Sequence, residues 1–151
     1  MNPFRPTPSL SEISISCTNI RSLGISTKNL THRKLNSILD LKNSVNILID
    51  SKVSETEANQ ICNNNFKYLL KDYKYVGSLT KIKGILILCN KHQTKIKNLK
   101  VIRDGQLLEF SLKVNNVWVN VVSCYAPPDI DDPSFVLEAK TSLAQWMAIM
   151  G

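Results

Sequence analysis

The chain has 151 residues, of which 43% are hydrophobic and 21% are charged, and its formal net charge is +7. This length suits a single domain with its own core, and the composition excludes a disordered or fibrous protein. No apolar run is long enough to span a membrane, and the proline-rich residues 1–11 lack the apolar segment of a signal peptide. We therefore expect a loose arm over residues 1–11 and domain structure over residues 12–151.

The cysteines indicate free thiols rather than a disulfide framework or a zinc site. The chain contains Cys17, Cys62, Cys89 and Cys124. They form no C-x-x-C pair, and neither His32 nor His92 lies at a zinc-ligand spacing from them. Free thiols are usual in a reducing compartment, so we expect a cytoplasmic or nuclear protein that is not secreted and makes no membrane contact. Both histidines stand among basic polar residues and are expected on the surface.

The first part of the chain predicts a strand followed by a helix. In "EISISC" apolar residues alternate with serines, which is typical of a half-buried strand. In "NLTHRKLNSILDLK" the apolar residues recur at helical spacing, and Thr31 is the expected N-cap.

The next segments predict a second strand, a short helix and a third strand. "VNILID" and "GILILC" are continuous apolar runs, as expected for strands covered on both faces. Between them, Ser54 and Glu57 have the spacing of a capping box, which predicts the start of a helix.

The remaining sequence predicts antiparallel hairpins and a final helix. Asp104-Gly105 and Asn115-Asn116 are turn pairs that favour positive φ. Asp132 is the expected N-cap of the last helix, and we expect Trp118 and Trp146 in the core. Strands and helices in this order predict an α/β fold with mixed sheet pairing.

Polar side chains follow three of the predicted strands. The chain has no G-x-G-x-x-G, no P-loop and no G-x-S-x-G elbow, which argues against nucleotide cradling and serine hydrolase chemistry. Instead, Asn19 follows the first strand, Asp50 closes the second, and Tyr125 ends the last, just before Pro127 and Pro128. Ligands of open α/β sheets bind at such strand ends, so these three residues are the candidate site.

Four segments resemble the endonuclease/exonuclease/phosphatase family, and they occur in the same order as in that family. "ISCTNIRSL" resembles its first strand and asparagine loop, and "VNILIDSKVSE" resembles its second strand with a terminal carboxylate. "KGILILCNK" resembles the third strand, and "VWVNVVSCYAPP" resembles the segment that ends in tyrosine, alanine and proline. The combination of "NIRSL" and "YAP" is most similar to the apurinic-type endonuclease domain of non-long-terminal-repeat retrotransposons.

The resemblance implies a fold, an activity and a set of roles. The fold is an α/β sandwich of two sheets with flanking helices, of which this chain is the N-terminal part, and the activity is hydrolysis of phosphodiester bonds in DNA with a divalent metal, usually magnesium. Asp50 would be the metal ligand, Asn19 would bind phosphate or position the carboxylate, and Tyr125 would hydrogen-bond the phosphate or leaving oxygen. Arg21 and Lys52 are weaker candidates for nucleic-acid contacts.

The chain departs from the family pattern at several positions. It has Asp50 where the family usually has glutamate, Thr18 where tryptophan is usual, and Gln106 where arginine is frequent. "AIMG" resembles the start of the strand that leads into Gly-Asp-Phe-Asn, and the sequence ends at Gly151. The later catalytic motifs therefore have no counterpart, so we expect a C-terminally truncated sandwich that is inactive by itself and associates through exposed sheet edges.

Two alternatives stay open. Residues 64–103 contain ten Lys or Arg against the single acid Asp72, so a non-catalytic remnant could bind nucleic acid through this basic segment. The same fold also serves phosphatases that act on sugar or inositol phosphates, since loops rather than the fold decide the substrate.

Overall fold

A computed structural model describes residues 13–24, 28–125 and the single residue Leu137. The expected N-terminal arm and nearly all of the expected C-terminal helix lie outside these residues. The elements in chain order are β1 (Ile15–Asn19), α1 (Lys28–Asp40), β2 (Val45–Ile49), α2 (Glu55–Gln60) with a π-helical continuation (Ile61–Asn65), β3 (Tyr73–Ser78), β4 (Ile85–Asn90), β5 (Ile96–Arg103), β6 (Leu107–Val114) and β7 (Val117–Cys124).

Sheet A has the strand order β1-β2-β4-β3 and mixed pairing. β1 pairs with β2 in parallel, with Cys17 opposite Ile47 and Asn19 opposite Ile49. The α1 crossover makes this parallel pairing possible, because parallel neighbours need a long connection. β4 pairs antiparallel with both β2 and β3. The two central strands, β2 and β4, are the continuous apolar runs of the sequence, and both of their faces are covered.

Sheet B is an antiparallel meander in the order β5-β6-β7. The predicted turn pairs connect its strands, and Gly105, Asn115 and Asn116 have φ values of +69°, +52° and +63°. In the β6–β7 register Phe110 lies opposite Val121 and Lys113 lies opposite Trp118. The predicted hairpins are therefore confirmed.

Two hydrophobic layers lie on the two sides of sheet A. One layer packs the helices against the sheet and includes Leu35 and Leu48. The other lies between the sheets, where Ile47 and Ile87 of sheet A meet the face of sheet B that carries Phe110. The order helix layer, sheet A, sheet B confirms the predicted α/β sandwich with a mixed sheet.

Several predictions about local structure are confirmed. The Ser54 hydroxyl accepts a hydrogen bond from the Glu57 backbone N–H at 3.2 Å, and the Glu57 carboxylate accepts one from the Ser54 N–H at 3.0 Å. All four cysteines lie in the described residues and are free thiols. Both histidines are exposed. A separate observation is that no helix within the described residues is long and apolar enough to cross a membrane.

Three predictions about local structure are wrong or incomplete. α1 begins at Lys28, so Thr31 is not its N-cap but lies buried inside it, where the hydroxyl donates to the Gly24 carbonyl at 2.9 Å. β3 was not predicted, because its mixed basic and aromatic sequence lacks a clear alternation. Trp118 is 38% exposed rather than part of the core, because it faces away from the layer between the sheets.

Candidate functional site

Asn19 and Asp50 lie side by side at the carboxyl ends of two neighbouring strands. β1 and β2 are parallel, and Asn19 is paired with Ile49, the residue before Asp50. The pairing continues past the strand ends, because the Ile20 N–H donates to the Ile49 carbonyl at 3.1 Å and the Ser22 N–H donates to the Asp50 carbonyl at 2.7 Å. The two residues therefore share one edge of sheet A.

The amide of Asn19 is exposed and is oriented by its own loop. Its Oδ1 atom accepts a hydrogen bond of 3.0 Å from the Arg21 backbone N–H. Arg21 and Ser22 both have left-handed backbones, with φ values of +49° and +73°. Because the amide oxygen is engaged within the loop, the NH₂ group is the end of Asn19 that can bind an anion.

Lys34 of α1 stabilises this loop, which the sequence analysis did not anticipate. Its ammonium group donates to the carbonyls of Ile20 at 2.8 Å and Arg21 at 3.4 Å, and it also donates to the carbonyl of Ser22. These three hydrogen bonds satisfy carbonyls of the left-handed turn. No sequence pattern reveals this contact, because it depends on how α1 lies beside β1.

Asp50 begins a loop that is tied to the start of β4. Its side chain is 9% exposed and its φ is +57°. The following residue, Ser51, donates its N–H to the Gly84 carbonyl at 3.1 Å, and Lys52 donates its N–H to the Lys83 carbonyl at 2.7 Å. The Ser51 hydroxyl is fully buried and has no hydrogen-bond partner within the described structure.

Two glycines bring sheet B against this loop. A Cβ atom on Gly84 would lie 2.7 Å from the Ser51 hydroxyl oxygen, and one on Gly105 would lie 2.8 Å from the Gly84 nitrogen. The Gly105 N–H also donates to the Ser78 hydroxyl at 2.7 Å. The β5–β6 turn therefore packs directly on the backbone beside Asp50, which only residues without a side chain allow.

Tyr125 reaches the same region from sheet B. Its N–H donates to the Gln106 carbonyl at 2.7 Å, which extends the β6–β7 pairing by one residue, and its ring packs against the layer between the sheets. The Gln106 amide nitrogen and the Ser123 hydroxyl nearby are buried without a partner among the described atoms. The prolines expected to hold Tyr125 lie outside the described residues.

The three predicted site residues are thus connected in two different ways. Asn19 and Asp50 adjoin directly, whereas Tyr125 is linked to them through Gln106 and the two glycines. The weaker candidates, Arg21 and Lys52, are exposed in the loops after β1 and β2 and flank the pair. The arrangement presents one carboxylate, one amide and two cations at one end of the sandwich.

The residues present fit part of a magnesium site. Magnesium prefers oxygen ligands and is often bound through one or two carboxylates plus water. The Asp50 carboxylate offers oxygens of this kind, whereas the Ser51 hydroxyl is buried against Gly84. Across residues 13–24 and 28–125, however, no group of three or more His, Cys, Asp or Glu side chains could hold a metal ion. Asp50 can therefore supply one position of such a site.

Comparisons with known proteins decide the fold. No family model matches the chain, and no curated protein matches it in sequence. Among solved structures, the zebrafish (D. rerio) TDP2 complexed with single strand DNA product matches with a TM-score of 0.63 and 16% identity, over 90% of this chain and 54% of that one. The chain therefore shares the endonuclease/exonuclease/phosphatase fold with these structures.

Two AP endonucleases are similar to the same degree. The enzyme from Archaeoglobus fulgidus matches with a TM-score of 0.58 and 15% identity, over 85% of this chain and 48% of that one. The enzyme LMAP from Leishmania major matches with a TM-score of 0.57 and 15% identity, over 82% and 44%. The chain thus spans about half the length of these structures. The predicted fold is confirmed, whereas membership of the family and the retrotransposon subtype stay predictions.

Proposed function

We propose that this chain is the N-terminal part of a metal-dependent DNA phosphodiesterase of the retroelement endonuclease type. The observation that carries the proposal is the adjoining of Asn19 and Asp50 at two parallel strand ends in this fold. Structural neighbours that are AP endonucleases, and a TDP2 structure with a DNA product, support DNA as the substrate.

Each site residue has a role that its environment supports. Asp50 would hold magnesium, which when bound stabilises the charge on a phosphoryl oxygen. The free NH₂ group of Asn19 would donate to a second phosphate oxygen, and the Tyr125 hydroxyl would donate to the phosphate or the leaving oxygen. Arg21 and Lys52 would contact the flanking phosphates, since both are exposed cations beside the pair.

We further propose that this chain binds DNA but does not cleave it by itself. Asp50 supplies a single carboxylate, and the described residues contain no larger group of metal ligands. The structural neighbours are about twice as long as the stretch that this chain matches. Activation of a water molecule then depends on groups that the described residues do not supply.

The metal role of Asp50 is testable without any activity. Mn²⁺ can replace Mg²⁺ as a paramagnetic probe, and its binding to the chain can be followed by electron paramagnetic resonance. We expect Asp50→Asn to weaken Mn²⁺ binding by at least about tenfold, since even outer-shell changes at metal sites have effects of that size. Asp40→Asn removes an exposed carboxylate at the end of α1 and is the matched control. Equal affinities in the two variants would refute the metal role.

The proposed nuclease activity is tested with DNA as the substrate. Fluorescence anisotropy should show that Mg²⁺ strengthens binding of a labelled DNA strand, and that Asn19→Ala or Asp50→Asn abolishes this magnesium effect. The longest polypeptide that contains this sequence should nick supercoiled plasmid with Mg²⁺ and not with EDTA. A polypeptide that includes the full domain and stays inert with Mg²⁺ would refute the proposal.

The second candidate function is nucleic-acid binding without catalysis. It is favoured by the basic segment 64–103, in which ten Lys or Arg face a single acid. Binding through such a segment would be blind to sequence, would weaken steeply with salt, and would not respond to Mg²⁺ or to Asp50→Asn. The same anisotropy titrations therefore separate the two candidates.

A further inference from the structure

The outer face of sheet B carries residues that the candidate site does not use. Leu112 and Val119 are paired and face sheet A, so their neighbours Lys113 and Trp118, which are also paired, face away from it. On β5, Lys97 is paired with Ser111 and therefore faces outward as well. The alternation of residues along the paired strands therefore places Trp118, Lys97 and Lys113 on the same outer surface.

Cations and the indole ring are in direct contact on this surface. The Lys97 ammonium lies 3.9 Å from the centroid of the Trp118 ring, and the Lys113 ammonium lies 6.0 Å from it. Trp118 is 38% exposed, so part of its ring is accessible to a ligand. A cation–π contact holds the ammonium groups beside the ring instead of leaving them free in solvent.

The surface is positively charged along β5 and β6. Lys100 faces outward and is paired with Glu109. Glu109 is the one acidic residue among the outward-facing pairs of the described sheet B. Among the paired outward residues, Lys97, Lys100, Arg103 and Lys113 are positive and Glu109 is negative, which leaves a net charge of +3. Cations that surround an exposed aromatic ring are the combination by which proteins bind single strands, because the ring stacks on bases and the cations pair with phosphates.

We propose that this face binds single-stranded nucleic acid, with Trp118 stacking on a base and Lys97, Lys100 and Lys113 contacting the phosphates. On binding, a base takes the place of the Lys97 ammonium over the indole, and that ammonium moves to a neighbouring phosphate. We refer to these four residues, Trp118, Lys97, Lys100 and Lys113, as the Trp118 surface.

The Trp118 surface is separate from the candidate site. Trp118 is the second residue of β7, next to the Asn115–Asn116 turn, whereas Tyr125 follows the last residue of the same strand. At a rise of about 3.3 Å per residue, the seven steps between them span roughly 23 Å. Binding at this surface therefore does not depend on Asp50, Asn19 or magnesium, and it does not rest on the proposed nuclease activity. It deepens the second candidate function, because Lys97 and Lys100 belong to the basic segment 64–103.

A simpler reading of the same contacts makes a different prediction. Lysine stems often cover an exposed aromatic ring while their ammonium groups stay in water, with no ligand involved. In that case nucleic acid would leave the Trp118 environment unchanged, and each lysine would contribute no more to binding than any other exposed lysine.

Tryptophan fluorescence distinguishes these readings directly. The chain has two tryptophans, so the Trp146→Phe variant reports on Trp118 alone. We expect titration with oligo(dT) or oligo(U) of about 16 nucleotides, the upper range for a single binding module, to quench its fluorescence at low salt. The two oligonucleotides show whether DNA or RNA is preferred.

Substitutions then test the role of each group. Trp118→Leu should weaken binding between about fivefold and a hundredfold, as expected for the loss of one stacked base, whereas Trp118→Phe should retain most of it. Lys97→Gln, Lys100→Gln and Lys113→Gln should each reduce the slope of log K against log salt by about 0.7, the value for one phosphate contact on a single strand. Lys67→Gln removes an exposed lysine outside sheet B and should have a smaller effect.

The outcomes separate this inference from the proposed function. If oligonucleotides still quench Trp118 fluorescence in the Asp50→Asn variant, the result supports binding at the Trp118 surface. This holds even if magnesium has no effect on DNA binding. The inference is overturned if Trp118 fluorescence does not respond, or if Lys97→Gln behaves like Lys67→Gln. It is also overturned if binding is lost in Asn19→Ala but kept in Trp118→Leu, with circular dichroism showing that both variants are folded.

Discussion

Gly84 is the position where the loop that carries Asp50 is most sensitive to a change of one atom. A Cβ atom there would lie 2.7 Å from the Ser51 hydroxyl oxygen and 2.9 Å from the Thr80 carbonyl oxygen, and the φ of Gly84 is +89°. The carbonyl belongs to the backbone and cannot swing away as a long side chain can. Gly84 therefore fixes how closely β4 approaches the site.

We predict that Gly84→Ala lowers the free energy of unfolding by about 1–3 kcal/mol, because it combines a strained backbone conformation with a steric clash. Urea unfolding of the variant and the original chain measures the difference. Ser51→Ala by itself should be neutral or slightly stabilising, since the hydroxyl is buried without a partner in the described structure.

The double variant Gly84→Ala with Ser51→Ala tests the cause of the loss. The new Cβ atom at position 84 would contact the Ser51 hydroxyl oxygen. We therefore expect the double variant to recover part of the stability that Gly84→Ala loses, so the two effects are not additive. Strict additivity would mean that the backbone angle of Gly84 and the contact with the Thr80 carbonyl, rather than the contact with Ser51, set the cost.

The start of α2 is the helix end whose stability depends on one pair of side chains. Burial raises the pKa of Glu57, but hydrogen bonds from the backbone and hydroxyl of Ser54, together with nearby Lys81, outweigh it and lower the pKa below its usual 4.5. Because the pKa of the folded state is depressed, the stabilisation is present above pH 4.5 and is lost as the pH falls below it.

We predict that Ser54→Ala lowers the free energy of unfolding by about 1 kcal/mol at pH 7, the usual effect of losing an N-cap. Glu57→Gln should flatten the decline in stability below pH 4.5, whereas Asp40→Asn, the control at the end of α1, should leave that decline unchanged. Urea unfolding at several pH values measures both effects. A decline that is as steep in Glu57→Gln as in the original chain would contradict this assignment.

Elements with a strong local signal were predictable from the sequence. β2 and β4 are continuous apolar runs, the hairpin turns carry residues that tolerate positive φ, and the capping box has its characteristic spacing. β3 escaped prediction because its pairing with β4 depends on Gly77, where a Cβ atom would lie 2.1 Å from the Ile85 carbonyl oxygen. That close approach exists only in the assembled sheet.

The candidate site was also predictable only in part. Asn19 and Asp50 were predictable because each is a polar residue directly after a strand-like apolar segment, a pattern that is visible in the sequence. The contacts that hold them were not: Lys34 acts across twelve to fourteen residues, and Gly84 and Gly105 meet only when sheet B packs on sheet A. Trp118 was misassigned because hydrophobicity alone does not say which face of a sheet meets the core.

β1 and β7 are two of the four edge strands of the described sheets, and we call their exposed apolar residues Ile15, Val117 and Val119 the rim. In the described part of the chain, each of these strands is hydrogen-bonded to a neighbour on one side only. Ile15, Val117 and Val119 are 47%, 61% and 44% exposed, although their partners Val45, Val114 and Leu112 belong to or pack against the layer between the sheets. Apolar residues on unpaired edges favour association with another chain.

We therefore predict that the chain self-associates, and that the rim is responsible. Ile15→Lys and Val119→Lys together should raise the fraction of monomer at a given concentration, because charges on an edge strand oppose pairing. Leu41→Lys replaces an apolar residue that is 64% exposed just after α1 and should leave the association unchanged. Sedimentation velocity over a range of concentrations measures the three chains.

The position of the rim links this association to the candidate site. β1 carries Ile15 on the rim and ends in Asn19, so a partner strand along β1 would reach the loop that Lys34 holds. Binding of DNA at Asn19 and association along β1 should then compete, and DNA should shift the sedimenting species toward monomer. Association that is unaffected by DNA, while DNA is bound, would place the contact on β7 alone. A chain that stays monomeric at every concentration would contradict the prediction altogether.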